Sequence, residues 1–307
     1  MELHRFDSFG EFESAVVDVD LSVRLLGPRD GRWRLGHADV DGLAVQRGVE
    51  SVPNLCEASG WPSHLMFLLS RGQPSPTWLN GVRFTGRNLG VLAPGRGFVF
   101  RAAGPNHWTS IALPLGAGLL RGDDVIGDVL RLWSRSTRMV ETTPRVLQTL
   151  QDAALIGADP RTPPAEGRML IENAIVNLVH SGSQRSTAIG RPAASNHELC
   201  DATLDFFSEV DSTGLVAAPL DGLPVGARSL RNFFHDCFGR GPMQYLNLRR
   251  LHAIHHALLD ARRDSTSISE TFEQNGYAYS SYALARYRAL FGVAPSTTRD
   301  GVTRRAR

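Results

Sequence analysis

At 307 residues the chain exceeds the size at which a single hydrophobic core usually stops growing, so two domains of roughly 100–200 residues each are expected. A hydrophobic fraction of 42% with 17 prolines excludes a collagen-like or largely disordered polymer. No run approaches the roughly 20 apolar residues of a membrane span. The segment Met1–Gly10 carries Glu2 and Asp7 and does not read as a secretory signal. Cys56, Cys200 and Cys237 are odd in number and far apart, which offers neither a disulfide framework nor a paired metal-ligand motif, so the cytoplasm is the expected compartment. The formal charge of +2 hides an asymmetry. From Arg228 to Arg307 there are 13 arginines against 6 acidic residues, whereas the residues before them are net acidic. Every basic residue except histidine is arginine, whose rigid donor fork suits phosphates and base edges.

The first 115 or so residues read as β-rich. Short apolar runs recur at Phe12–Val19, Leu43–Arg47, Leu65–Leu69, Leu89–Leu92, Phe98–Phe100 and Ile111–Leu113. Pairs such as Asn80-Gly81 and Pro94-Gly95 punctuate them, which fits a barrel or a sandwich better than a βαβ sheet. From Gly122 onward the period changes. Val125, Ile126, Val129, Leu130 and Trp133 recur at helical spacing, as do Val146, Leu147, Leu150 and Leu155. A third helix is expected from about Glu166, with Met169, Leu170, Ala174, Ile175 and Leu178 toward one side. These helices either pack on the β-rich part or include a dimer seam. The small and polar stretch Ser181–Ser195 reads as a linker, giving domains at 1–180 and 196–307 with 181–195 between them.

The last domain reads as helical throughout. Asn196 can cap a helix reaching about Val210. A second helix starts near Ala227 with Leu230, Phe233, Phe234 and Cys237 as its apolar stripe, and Gly239 and Gly241 end it. Pro242 is placed to open a long helix running to Leu259. Ser267 can cap a short helix bearing Ile268 and Phe272, Gly276 marks a turn, and a helix from about Ser280 to Phe291 ends at Gly292. Two short helices about a glycine-marked turn are the layout that delivers a second helix to the major groove.

Arg228–Leu259, RSLRNFFHDCFGRGPMQYLNLRRLHAIHHALL, resembles the first recognition helix and connecting helix of the AraC/XylS-type transcription regulators. Ser267–Ser296, SISETFEQNGYAYSSYALARYRALFGVAPS, resembles their second unit, with Gly276-Tyr277, Tyr287-Arg288 and Phe291-Gly292-Val293-Ala294-Pro295 at the family's spacing. The likeness covers about Asn196–Arg299 and is diffuse before it; the ethanolamine-utilisation regulators are a candidate subtype. It implies an α+β chain with an N-terminal β-rich cupin-like barrel and packing helices. An all-α C-terminal domain would follow, with two helix-turn-helix units joined by a long helix. It also implies a double-stranded promoter DNA target, with RNA polymerase, a small-molecule effector and a second copy of the chain as candidate partners. No cofactor is expected. The residues expected at DNA are Arg228, Ser229, Arg231 and Asn232 on the first unit, and Ser280, Ser281, Tyr282, Arg286 and Arg288 on the second.

The sequence departs from that pattern in three places. Two prolines and a glycine in Ala217–Val225 should shorten or kink the scaffold helix of the first unit. Gly226 stands where a hydroxyl cap is usual, and Ala283 stands where an aromatic residue is usual. Arg249 and Arg250 on the connecting helix read equally as salt-bridging or DNA-contacting. His252 and His256 are one helical turn apart, yet no catalytic glutamate lies between them and no third ligand stands nearby, so packing outweighs metal binding. His37, His64 and His107 form no compact motif, so a cupin-like metal enzyme fused to a helical domain stands only as an alternative, beside a structural or protein-interaction module without specific DNA binding. Trp61, Trp78 and Trp108 read as core or as the lining of an effector pocket.

Overall fold

The computed structural model describes residues 1–6, 9–16, 20–27, 31–70, 74–181, 196–213, 226–260 and 266–305. The N-terminal part builds two antiparallel sheets. The larger contains β1 (His4–Phe6), β3 (Trp33–Val40), β4 (Leu43–Glu50), β6 (His64–Ser70), β9 (Asn88–Leu92), β11 (Asn106–Pro114) and β12 (Arg138–Glu141), in the order β1-β3-β4-β11-β6-β9-β12. The smaller contains β2 (Asp20–Leu25), β5 (Asn54–Ser59), β7 (Thr77–Leu79), β8 (Val82–Arg83) and β10 (Gly97–Ala102), in the order β2-β5-β10-β7-β8. The expected barrel is therefore an open two-sheet sandwich among the described residues. Alternation in a sequence tells which face of a strand is buried but not whether the two end strands meet.

Two tight hairpins have type I′ character. Asp41 and Gly42 between β3 and β4, and Asn80 and Gly81 between β7 and β8, all have positive φ. That handedness matches the twist of the flanking strands and needs residues that tolerate the left-handed region. The run Phe12–Val19 was expected as a strand, but Phe9–Ala15 forms helix α1 instead. Phe12 is buried 5.1 Å from the Trp33 ring, and the Glu13 carboxylate accepts the backbone N–H of Val23 at 2.6 Å. Those tertiary contacts override the local β preference.

Strands β4, β6 and β9 of the larger sheet are buried on both faces, which explains the nearly continuous apolar runs of β6 and β9. Along β6, Leu65, Phe67 and Leu69 join a core with helices α2 (Gly118–Arg121), α3 (Val125–Trp133), α4 (Pro144–Gly157) and α5 (Pro164–Ser181). Met66 and Leu68 point to the other side and meet Phe98 and Phe100 of the smaller sheet. The helices fall where period and caps place them: Asp124 caps α3, and Thr143 with Pro144 opens α4. Helices α4 and α5 cross at Gly157 and Gly167, where a Cβ on either residue would lie within 3 Å of the other's carbonyl oxygen. Arg168 Nη1 donates to the Asp41 carbonyl at 2.7 Å and pins α5 to the β3–β4 hairpin.

The C-terminal helices are α6 (Asn196–Thr213), α7 (Ala227–Phe238), α8 (Pro242–Asp260), α9 (Ile268–Gln274), α10 (Ser281–Phe291) and α11 (Pro295–Arg305). Their core includes Leu55 and Val99 of the smaller sheet. The chain thus stacks four layers: N-terminal helices, larger sheet, smaller sheet, C-terminal helices. The expected linker 181–195 and the proline-interrupted Ala217–Val225 fall, from 182 and throughout respectively, outside the described residues. No described helix is long and apolar enough to cross a membrane.

The α4–α5 crossing has no room for a side chain. Gly167→Ala should lower stability by about 1–3 kcal/mol through forced separation of the two helices, read as a lower urea midpoint with an unchanged slope.

Candidate nucleic-acid interface

The second helix-turn-helix unit is built from strong local signals. Ser267 and Glu270 form a reciprocal capping box at the start of α9, with Oγ accepting from Glu270 N at 3.2 Å and Glu270 Oε2 accepting from Ser267 N at 2.7 Å. Gly276 turns the chain at φ 66°, and the Ser280 hydroxyl caps α10 by accepting from Ala283 N at 3.2 Å. Gly292 closes α10 in the left-handed region. Ala283, Tyr287, Leu290 and Phe291 are buried, whereas Ser281, Tyr282 and Arg288 are exposed. Ala283 is fully enclosed in a cluster with Phe272, Tyr277, Tyr287 and Phe291. Tyr282 is 64% exposed, and its hydroxyl oxygen accepts from Arg286 Nη1 at 3.0 Å.

In the first unit α7 buries Phe233, Phe234, Cys237 and Phe238 and exposes Arg228, Ser229, Arg231 and Asn232. Gly226 makes no side-chain cap bond, in keeping with the missing hydroxyl, while Gly239 closes the helix at φ 68°. The nine residues singled out from sequence thus sit on or at the start of the two helices. Ser280 is spent on a cap, and Arg286 is half-buried and braced by Tyr282.

Helix α8 joins the units. Its 19 residues span about 28 Å at 1.5 Å each. His255 stacks on Phe291 at 4.2 Å and shares a 2.6 Å hydrogen bond with the Tyr287 hydroxyl, which itself donates to Thr298 Oγ1 at 2.9 Å. Since the tyrosine proton goes to Thr298, His255 Nδ1 is the donor to Tyr287. This relay fixes α10 and α11 against α8. His252 donates Nε2–H to the Leu25 carbonyl at 3.2 Å and lies buried, so both histidines serve packing. Among the described residues no group of three or more His, Cys, Asp or Glu side chains is arranged to hold a metal ion.

The other face of α8 docks on the smaller sheet around one carboxylate that sequence reading did not single out. Glu57 of β5 is 6% exposed and binds Arg24 Nη2 at 2.8 Å and Arg249 Nη1 at 2.6–2.7 Å; it also accepts the Tyr245 hydroxyl. Burial pushes this carboxyl up, but the Arg24 and Arg249 guanidiniums and the Tyr245 hydroxyl more than offset it and hold it at about 2. Burial and the Glu57 charge drive the Tyr245 hydroxyl the opposite way, well above its ordinary value. Arg249, open to two readings in the sequence, is therefore a salt-bridging residue; its guanidinium also lies 4.1 Å from the Phe207 ring centre. Around it, Asp201 of α6 accepts Gly97 N at 2.6 Å, and Arg101 packs over Trp78 at 3.7 Å beside Gly239.

The structure also brings together residues from the two units. Burial and the nearby Arg286 both lower the affinity of the Arg240 guanidinium for its proton, so a cation following α7 neighbours one on α10. Arg250 donates to Asn247 Oδ1 at 3.2 Å. No sequence spacing signals the Arg240–Arg286 proximity, which arises only when α8 folds the units together.

Residues 221–301 match a family model described as a helix-turn-helix domain, and the chain carries such a domain. No curated protein matches the chain in sequence. Among solved structures, the chain is similar to the AraC-like transcriptional activator CuxR, with a TM-score of 0.41 and 14% identity, covering 89% of this chain and 100% of that one. It is also similar to ToxT from Vibrio cholerae, with a TM-score of 0.30 and 10% identity, covering 93% of this chain and 98% of that one.

Glu57→Gln would leave Arg24 and Arg249 buried against a neutral amide. Breaking one member of such a cluster costs about 3–5 kcal/mol, measurable in urea unfolding. The pH dependence follows in sign. The folded value of about 2 lies below the ordinary 4.5, so the stabilisation is complete above about pH 4.5 and is lost as pH falls toward 2. Over that window the wild-type protein should lose stability more steeply than Glu57→Gln.

Proposed function

We propose that this chain is a sequence-specific double-stranded-DNA-binding transcription regulator of the AraC/XylS type. Residues 1–180 form its regulatory part, 181–195 its linker and 196–307 its DNA-binding part. The observation that carries this reading is the pair α7 and α10. Each buries an aromatic stripe, each turns serine, asparagine, tyrosine or arginine outward, and one helix links both. The helix-turn-helix match over 221–301 and the surplus of arginine over acid after Arg228 support it.

In this reading Arg228, Ser229, Arg231 and Asn232 approach one major-groove segment, and Ser281, Tyr282, Arg286 and Arg288 approach the next. Ser280 positions α10 through its cap. Direct reading of base edges specifies sequence, while arginines on phosphates set register. Promoter DNA in the cytoplasm is the target; RNA polymerase and a second copy of the chain are candidate partners, the second copy not being required where one chain carries both units.

Regulation enters through the smaller sheet. Its inner face lines a cavity between the two sheets, with Val23 of β2, Cys56 of β5, and Phe98 and Phe100 of β10. Its outer face carries Arg24, Leu55, Glu57 and Val99 against the C-terminal helices. One layer of backbone separates an effector cavity from the helix that joins the DNA-binding units. A ligand that changes the spacing of β2, β5 and β10 would bias how α8 docks, which is coupling between two sites.

Two measurements test the reading. Arg228→Ala and Arg286→Ala should each cost about 1–3 kcal/mol on a selected operator if the arginine reads a base. A phosphate role instead weakens all duplexes alike and reduces the salt slope by about one. No change in affinity, specificity or salt slope for either variant removes α7 and α10 from the interface. Mapping bound genomic fragments should recover a shared operator, and the genes beside it test the ethanolamine-utilisation subtype. Equal retention of all polymers would refute sequence-specific binding.

A further inference from the structure

Among the described residues that line the cavity between the sheets, one carries a charged group, Glu50 at the end of β4. Glu50 is 6% exposed. Trp108 donates its Nε1–H to Oε1 at 2.7 Å, and Asn54 and Asn106 donate Nδ2–H to Oε2 at 2.6 and 3.4 Å. All three partners are obligatory or oriented N–H donors, an arrangement that stabilises a carboxylate and offers no acceptor to a carboxylic acid proton. Burial nonetheless pushes the Glu50 carboxyl up, with the three hydrogen bonds only partly offsetting it. Glu57, one strand away, has two guanidiniums; among the described residues no salt bridge reaches Glu50.

A carboxylate has about four lone-pair sites, and three are engaged, one of them by a long bond. The remaining wall is mostly apolar and includes Phe12, Phe98, Phe100 and Trp108. Aromatic faces attract organic cations, and more strongly where water is excluded. The cavity measures about 70 Å³, where one water needs about 10–15 Å³ by the same measure. It therefore suits a compact molecule of a few non-hydrogen atoms.

We propose that this cavity takes a compact organic cation, an amine with a short apolar body, whose ammonium group pairs with Glu50 while its carbon skeleton packs on the aromatic wall. The proposal rests on the reading of the cavity as an effector site and names its ligand class. A carboxylate ligand would face Glu50 with like charge, and a neutral alcohol would bring no charge to favour the ionised form that burial opposes.

The test uses the full chain and titration calorimetry with matched probes: ethylamine, propylamine and isobutylamine against the corresponding alcohols and carboxylates, at fixed pH and ionic strength. At least one amine should bind ten-fold or more tightly than its alcohol, and its carboxylate should not bind. Glu50→Gln should erase the amine preference while alcohol binding persists. If that variant does not fold, the ranking of probes by the wild-type chain decides alone. Alcohols or carboxylates binding as well as amines, or no amine binding at all, would overturn the proposal. Retention of the selected operator, measured in parallel, separates that outcome from failure of the regulator reading.

Discussion

A single buried carboxylate holds the two halves of this molecule in register. Glu57 projects from β5, beside the edge strand β2 of the smaller sheet, and collects Arg24 from its own sheet with Arg249 and Tyr245 from α8. Such clusters are poor sources of net stability, because replacing all members by well-packed apolar groups is often neutral or favourable. Removing one member is costly, since the others are then buried without compensation. The consequence is positional. An α8 shifted by one turn would strand the Arg249 guanidinium and the Tyr245 hydroxyl in an apolar interface and leave Glu57 with Arg24 alone, so one docking geometry is singled out from many hydrophobic alternatives.

What lies on either side of that interface follows from the pleat of β-strands. Successive residues of β5 and β10 face opposite ways, so Asn54 and Cys56 look toward the cavity while Leu55 and Glu57 look toward the C-terminal helices. Phe98 and Phe100 flank Val99 in the same manner. No long chain of side chains is needed to connect the cavity with the DNA-binding units, because the same strands line both. On the far side of α8, the His255–Tyr287–Thr298 hydrogen bonds carry the helix position onward to α10 and α11.

Much of this architecture could be read from the sequence. Helical period placed α3, α4 and α5, the Asn80-Gly81 pair marked a hairpin, and Ser267, Gly276 and Gly292 bounded the second unit. The signals that worked were local: caps, turns and runs of one period. Failures came where geometry is non-local. Phe12 reads as part of a strand but belongs to a helix pinned by Trp33 and Val23. An open sandwich replaced the expected barrel because closure depends on pairing between distant strands. Glu57 looks like an ordinary solvent-facing residue, since Arg24 and Arg249 lie far from it along the chain. The exposed polar sides of α7 and α10 were legible because amphipathic spacing records directly which face of a helix stays in solvent.

The two-faced strand β5 also constrains how this protein can change. A substitution at Cys56 alters the cavity and one at Leu55 alters the docking surface, so the two properties can drift separately, residue by residue. A one-residue insertion or deletion before Asn54 has no such freedom, because it exchanges the faces of the whole strand. The acidic side chain would then enter the cavity and a thiol would meet two arginines. Surface loops tolerate a change of length; this strand must keep its count.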